Sequence, residues 1–64
     1  MTKYLVRDIY TGKYFWNNGW YTWEYIVRHG VCEQAQFNGE YSAKKVASTQ
    51  SSEENPCEIV KIYA

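Results

Sequence analysis

The sequence predicts an α+β fold: an antiparallel β-meander of three to four strands, one helix over about residues 40–50 packed on the sheet, and a C-terminal strand over about 57–63. Three observations carry this. Two turn signals, Thr11-Gly12 and Asn18-Gly19, punctuate a run rich in aromatic and β-branched residues. Glu40–Gln50 (EYSAKKVASTQ) sets Ala43, Val46, Ala47 and Gln50 at helical spacing. Cys57–Tyr63 (CEIVKIY) reads as a strand behind the polar loop Ser51–Pro56, whose proline disfavours helix upstream of it. A small all-β barrel, with residues 40–48 as a fifth strand, is the alternative.

The elements follow in order. Lys3–Asp8 (KYLVRD) is the first strand. Asp8 opens the turn, where its carboxylate can accept from backbone N–H groups two or three residues on. Gly12 suits the left-handed conformation that closes such a turn. Lys13–Asn17 (KYFWN) returns, Asn18-Gly19 turns again, and Trp20–Val27 (WYTWEYIV) is the third strand. In this register Asp8 faces Lys13, Arg7 faces Tyr14 and Leu5 faces Trp16. Across the second turn Trp16 faces Tyr21, Tyr14 faces Trp23 and Lys13 faces Glu24. One face then carries Leu5, Arg7, Tyr14, Trp16, Tyr21, Trp23 and Tyr25. The other carries Tyr4, Val6, Phe15, Trp20 and Thr22 beside the charges. Neither face is plainly polar.

Arg28-His29-Gly30 is a third turn, and the alternating Val31–Phe37 (VCEQAQF) is a fourth-strand candidate. Asn38-Gly39 reads either as a hairpin turn or, preferably, with Asn38 as the N-cap of the helix. Glu40 then suits the helix dipole. The alanine stripe of the helix lets it approach a sheet covered in large rings.

Sixty-four residues make a single domain, 1–64, with little core of its own, and large aromatics are one remedy. Twelve residues are aromatic, and eight of these fall within Tyr10–Tyr25. Formal net charge is zero. Residues 1–30 carry four cations against two carboxylates, and residues 31–64 three against five. That balance is unlike the strongly basic footprint of a duplex-DNA binder. Cys32 and Cys57 are too few for a disulfide scaffold. With no apolar leader after Met1-Thr2-Lys3 and no run long enough to span a membrane, a cytoplasmic protein with free thiols is expected.

The residues argue against catalysis. His29 is the one histidine, three positions from Cys32, a spacing that does not by itself join sulfur to imidazole. One His and two Cys lack zinc-ligand spacing, so no metal is expected. Glu53-Glu54 lies in a solvated loop, and the four glycines are separate turn residues, not a phosphate loop. No cofactor is implied, and an enzyme is not expected.

Binding is the open question. The candidate contact residues are Arg7, Tyr14, Trp16, Trp20, Tyr21 and Trp23, because Trp, Tyr and Arg dominate interface hot spots. A protein partner fits best. Single-stranded nucleic acid, stacked on the rings, is the alternative. A homodimer through an aromatic face is a further option. Against all three stands the plainer reading that the rings are core. In that case Trp20, Tyr4 and Tyr10 are left outside, and an exposed hairpin tryptophan needs a partner.

Three pieces resemble small accessory proteins of bacteriophages and other mobile elements. They are Tyr4–Tyr14 (YLVRDIYTGKY), then Trp20, then Ala35-x-Phe37 leading into Ala43-x-x-x-Ala47 and the closing Glu58–Tyr63 strand. The resemblance implies a short sheet with one helix. It also implies action by binding and blocking a host protein, including host-defence proteins, as anti-CRISPR proteins do. It supplies no catalytic residue and no particular target.

Overall fold

The computed structural model describes residues 2–63. Its core is an open four-stranded antiparallel sheet in the order β3-β2-β1-β4, built from β1 (Thr2–Asp8), β2 (Tyr14–Trp16), β3 (Gly19–Tyr21) and β4 (Cys57–Tyr63). Helices α1 (Trp23–Arg28), α2 (Cys32–Ala35) and α3 (Glu40–Gln50) complete it. The α+β reading holds, as do the long helix and the C-terminal strand, and the sheet does not close into a barrel.

β1 is buried on both faces. Leu5 turns to one side, where it packs with Ile26 and Ala35. Val6 turns to the other, where it packs with Ala43 and Ala47. The absence of a polar sheet face is thereby explained. α1 and α2 cover one side and α3 the other, so the domain has three layers. The alanines of α3 let its axis come close to the rings of Tyr4, Phe15 and Trp20, as their spacing suggests.

The first turn forms as the sequence indicates. Asp8 is buried, and its Oδ1 accepts from the N–H of Tyr10 (2.9 Å) and Thr11 (3.3 Å). Gly12 takes φ +74°, and Arg7 pairs with Tyr14. The second turn differs. Asn17 and Asn18, at φ +50° and +59°, are its central residues, so Trp16 pairs with Gly19, Phe15 with Trp20 and Tyr14 with Tyr21. Asparagine tolerates the left-handed region that both central positions of this hairpin need. Gly19 instead lies close under the Tyr21 ring, where a Cβ would come within 3.0 Å of it and the ring would have to shift. The pairing therefore moves by two residues, which leaves every side chain on its expected face.

The third strand stops at Tyr21, and the stretch expected to continue it to Val27 is helical. Thr22 is the N-cap: its Oγ1 accepts from the N–H of Tyr25 at 3.2 Å. Glu24 lies in the first turn and Arg28 in the last, both favourable to the helix dipole. Coiling the segment carries Ile26 to full burial over Leu5 and leaves Val27 about half exposed. Trp23 and Glu24 consequently do not pair across a strand with Tyr14 and Lys13.

Val31–Phe37 is likewise not a strand. Cys32–Ala35 forms a single helical turn, and only Phe37 bridges Tyr4, exchanging two backbone hydrogen bonds of 2.7 and 3.0 Å. That bridge serves the part of β1 that the three-residue β2 is too short to reach. Asn38 does not cap α3: Gly39 occupies that position without a side-chain bond, and the Asn38 Oδ1 accepts from the Lys3 ammonium. No helix among the described residues is long and apolar enough to cross a membrane.

Candidate protein-binding surface

On the α1/α2 side the two short helices cover only part of the sheet. α1 and α2 seal Leu5 and Ile26 near β2, while Val60 and Ile62 on β4 stay partly exposed. The result is an open apolar groove of about 300 Å³ lined by Leu5, Tyr14, Trp23, Gln36, Val60 and Ile62. The β-ladder dictates who shares it. Leu5 pairs with Val60, and Lys3 with Ile62, so β4 presents Glu58, Val60 and Ile62 to the face that holds Leu5.

Trp23 forms one wall. It is 39% exposed at the start of α1, and its ring meets Tyr14 edge-on at 5.3 Å. Sequence reasoning joins the same two rings, though as neighbours in a sheet. Arg7 stands beside this pair, its guanidinium 6.0 Å from the centre of the Tyr14 ring and its Nη2 bonded to Glu58 Oε1. The hydrogen bond that Arg7 donates to Glu58, with a lesser one to Tyr14, raises the Arg7 pKa further. The groove is thus apolar inside and bordered by a neutralised ion pair.

The other candidates divide. Trp16 and Tyr21 are edge-on at 5.3 Å and half-buried on the same side, packed against the Leu5–Ile26–Ala35 cluster. Tyr21 stacks on Tyr25 (4.7 Å, 24° between planes), which meets His29 at 4.1 Å. Trp20 stands on the opposite side of the sheet. It is half-buried rather than displayed at the hairpin tip, edge-on to Phe15 at 5.4 Å and packed against the α3 cluster. Arg7, Tyr14 and Trp23 therefore share one site, Trp16 and Tyr21 support it from the core, and Trp20 is separate.

The groove floor, Val60 and Ile62 with Leu5, is absent from the sequence-derived set. The alternation of CEIVKIY marks Val60 and Ile62 as one-sided, but nothing local places them beside β1. Tyr25 is also absent from that set. The signal that could have found it is Thr22 as an N-cap before Glu24, which puts Tyr25 and His29 one turn apart.

The thiols lie in different layers, Cys32 against Leu5 and its neighbours and Cys57 against Val6 and its neighbours, with the sheet between them. Both are free. Burial, and secondarily the Asp8 charge, push the Cys57 pKa upward. His29 lies against Tyr25 and Cys32 against the core. Among the described residues no cluster of three His, Cys, Asp or Glu side chains could hold a metal.

Fold and groove together describe a small α+β domain with an open sheet and a partly uncovered apolar face. The chain matches no family model, no curated protein and no solved structure.

Proposed function

We propose that the protein is a small non-enzymatic protein-binding module, a phage or mobile-element inhibitor of a host protein acting in the host cytoplasm, with the Tyr14–Trp23 groove as its contact surface. The observation that carries the reading is the groove itself. Its walls and floor are apolar, and its border holds Trp, Tyr and Arg, the residue types on which interface energy concentrates. Arg7 and Tyr14 are held in place by Glu58 and Trp23, so little ordering would accompany docking. The inhibitor part of the proposal rests on the resemblance of the hairpin, helix and closing strand to phage accessory proteins.

The test compares wild type with Trp23→Ala as baits in bacterial lysate treated with nuclease. A protein retained stoichiometrically by wild type, and at least about 30-fold more weakly by Trp23→Ala, is expected for a hot-spot residue. Trp23 is part-exposed, so circular dichroism should show the variant folded. A partner held equally by both baits would refute the groove as the contact surface.

A second reading, single-stranded nucleic-acid binding, is favoured by the ladder of Tyr21, Tyr25 and His29 beside Arg28. Its mark is oligonucleotide affinity that falls steeply with salt and is lost in Tyr25→Ala.

A further inference from the structure

β4 is an outer strand of the sheet, and its alternation defines which backbone groups point outward. The Ile9 N–H donates to the Pro56 carbonyl (3.0 Å), and the register continues without a bulge from Asp8–Cys57 to Thr2–Tyr63. Glu58, Val60 and Ile62 therefore turn their N–H and C=O groups to β1. The odd-numbered residues turn theirs away, as the Cys57 N–H confirms by donating to Ser51 Oγ at 3.2 Å. Ile59 thus presents its backbone donor and acceptor at the rim of the sheet. Seven residues without proline or bulge are a template for another strand.

We propose that this rim is a self-association surface: two copies pair antiparallel along β4 about a two-fold axis at Val60, making one eight-stranded sheet. The inference goes beyond the groove reading and does not rest on it.

Three features favour a second copy over a foreign strand. First, the charges of β4 select a self-complementary register. A two-fold axis at Glu58 would match only residues 57–59 of the strand, and one at Lys61 would set two like-charged side chains directly opposite each other, which is unfavourable. The axis at Val60 places the whole of β4 in register, with the free pairing concentrated at Ile59–Lys61 because Ser51 already holds the Cys57 N–H. It sets Val60 against Val60, Ile59 against Lys61 and Glu58 against Ile62. Glu58 is neutralised by Arg7 on its own chain, so it meets Ile62 without an uncompensated charge. Second, the chain has no net charge, so no long-range repulsion keeps two copies apart. Third, α3 packs on both β1 and β4. Its counterpart in the second copy would stand about two strand spacings away, or ~10 Å, within the range at which helices pack. The paired strands would then be roofed by two touching helices. On the opposite face the two Val60–Ile62 stripes would merge into one apolar trough.

Sedimentation velocity from micromolar to millimolar concentration tests this. The expected result is a shift from the 7.6 kDa of one chain to twice that mass. Val60→Glu and Val60→Lys should each stay monomeric, because each opposes like charges at the axis. An equimolar mixture of the two should recover the dimer. This recovery separates a broken interface from a damaged fold. Wild type that remains at the one-chain mass overturns the proposal, as does a dimer that Val60→Glu leaves intact. A mixture of folded variants that stays monomeric places the axis elsewhere and overturns it too. Should both variants unfold, amide exchange on wild type decides. Protection of the Ile59 N–H must rise with protein concentration. Protection independent of concentration, or appearing only with a different protein added, refutes the second copy as the occupant.

Discussion

Ile26 and Val27 are adjacent β-branched residues, and the structure assigns them opposite consequences on truncation. Ile26 is fully buried between α1 and β1, whereas Val27 is 53% exposed. Ile26→Ala removes three buried carbons, about 2.4 kcal/mol at ~0.8 kcal/mol each, and leaves a cavity whose penalty raises the total to about 3–4 kcal/mol. A domain of this length has roughly 3–10 kcal/mol in all, so the loss is a large share of its stability. Val27→Ala removes two carbons already half in water. Replacing a β-branched residue by alanine within a helix returns about 0.5 kcal/mol. The net effect of Val27→Ala should lie within about 0.5 kcal/mol of zero. Urea titration followed by tryptophan fluorescence measures both, with unchanged slope confirming that the same surface unfolds. If the two substitutions cost the same, or Val27→Ala costs more, then Trp23–Arg28 is not a helix docked through Ile26.

Three further outcomes follow from local geometry. Asn17→Ala should destabilise by about 1 kcal/mol in a thermal melt, because alanine resists the left-handed conformation, whereas Asn17→Gly should not. Thr22→Ala should cost about 1 kcal/mol through the lost cap, with Thr22→Ser close to wild type in the same melt. The raised pKa of Cys57 means that the folded state holds the thiol proton more tightly than the unfolded chain does. The associated stability is present below the ordinary thiol pKa of about 8.5 and is lost as pH rises through the raised value. Urea midpoints between pH 7 and 10 should therefore fall less steeply in Cys57→Ala than in wild type.

Local chemistry in the sequence foretells local structure. Asp8 and Gly12 specify the first turn, the Ala43–Ala47 stripe specifies α3, and the side of the sheet on which each ring of β1–β3 lies survives a displaced turn. The errors arise where two local signals compete. Asn18-Gly19 is the stronger hairpin dipeptide in isolation, but Asn17 and Asn18 take the two left-handed positions and Gly19 pairs with Trp16, close against Tyr21. WYTWEYIV has the composition of a strand, yet Thr22 caps a helix that coiling alone can bury through Ile26, a tertiary gain overriding propensity. Residues 31–37 alternate like a strand, but the neighbouring edge of β1 has room only for Phe37. Half of the candidate site follows similarly: Arg7, Tyr14 and Trp23 are readable as binding residue types. Its floor depends on the pairing of β1 with β4, a non-local fact that no short window contains.

That pairing has a kinetic consequence. The two hairpin turns can bring β1, β2 and β3 together quickly, since their closing segments are short. β4 is separated from β1 by the whole intervening chain, and the entropy of closing so long a loop must be met before any ladder bond repays it. Until then β1 has one bare side, and Leu5 and Val6 lack their β4 neighbours. The rate at which this molecule becomes native, and the first place at which it opens, should both be set at the seam between residues 2–8 and 57–63, far from the aromatic hairpin that dominates its composition.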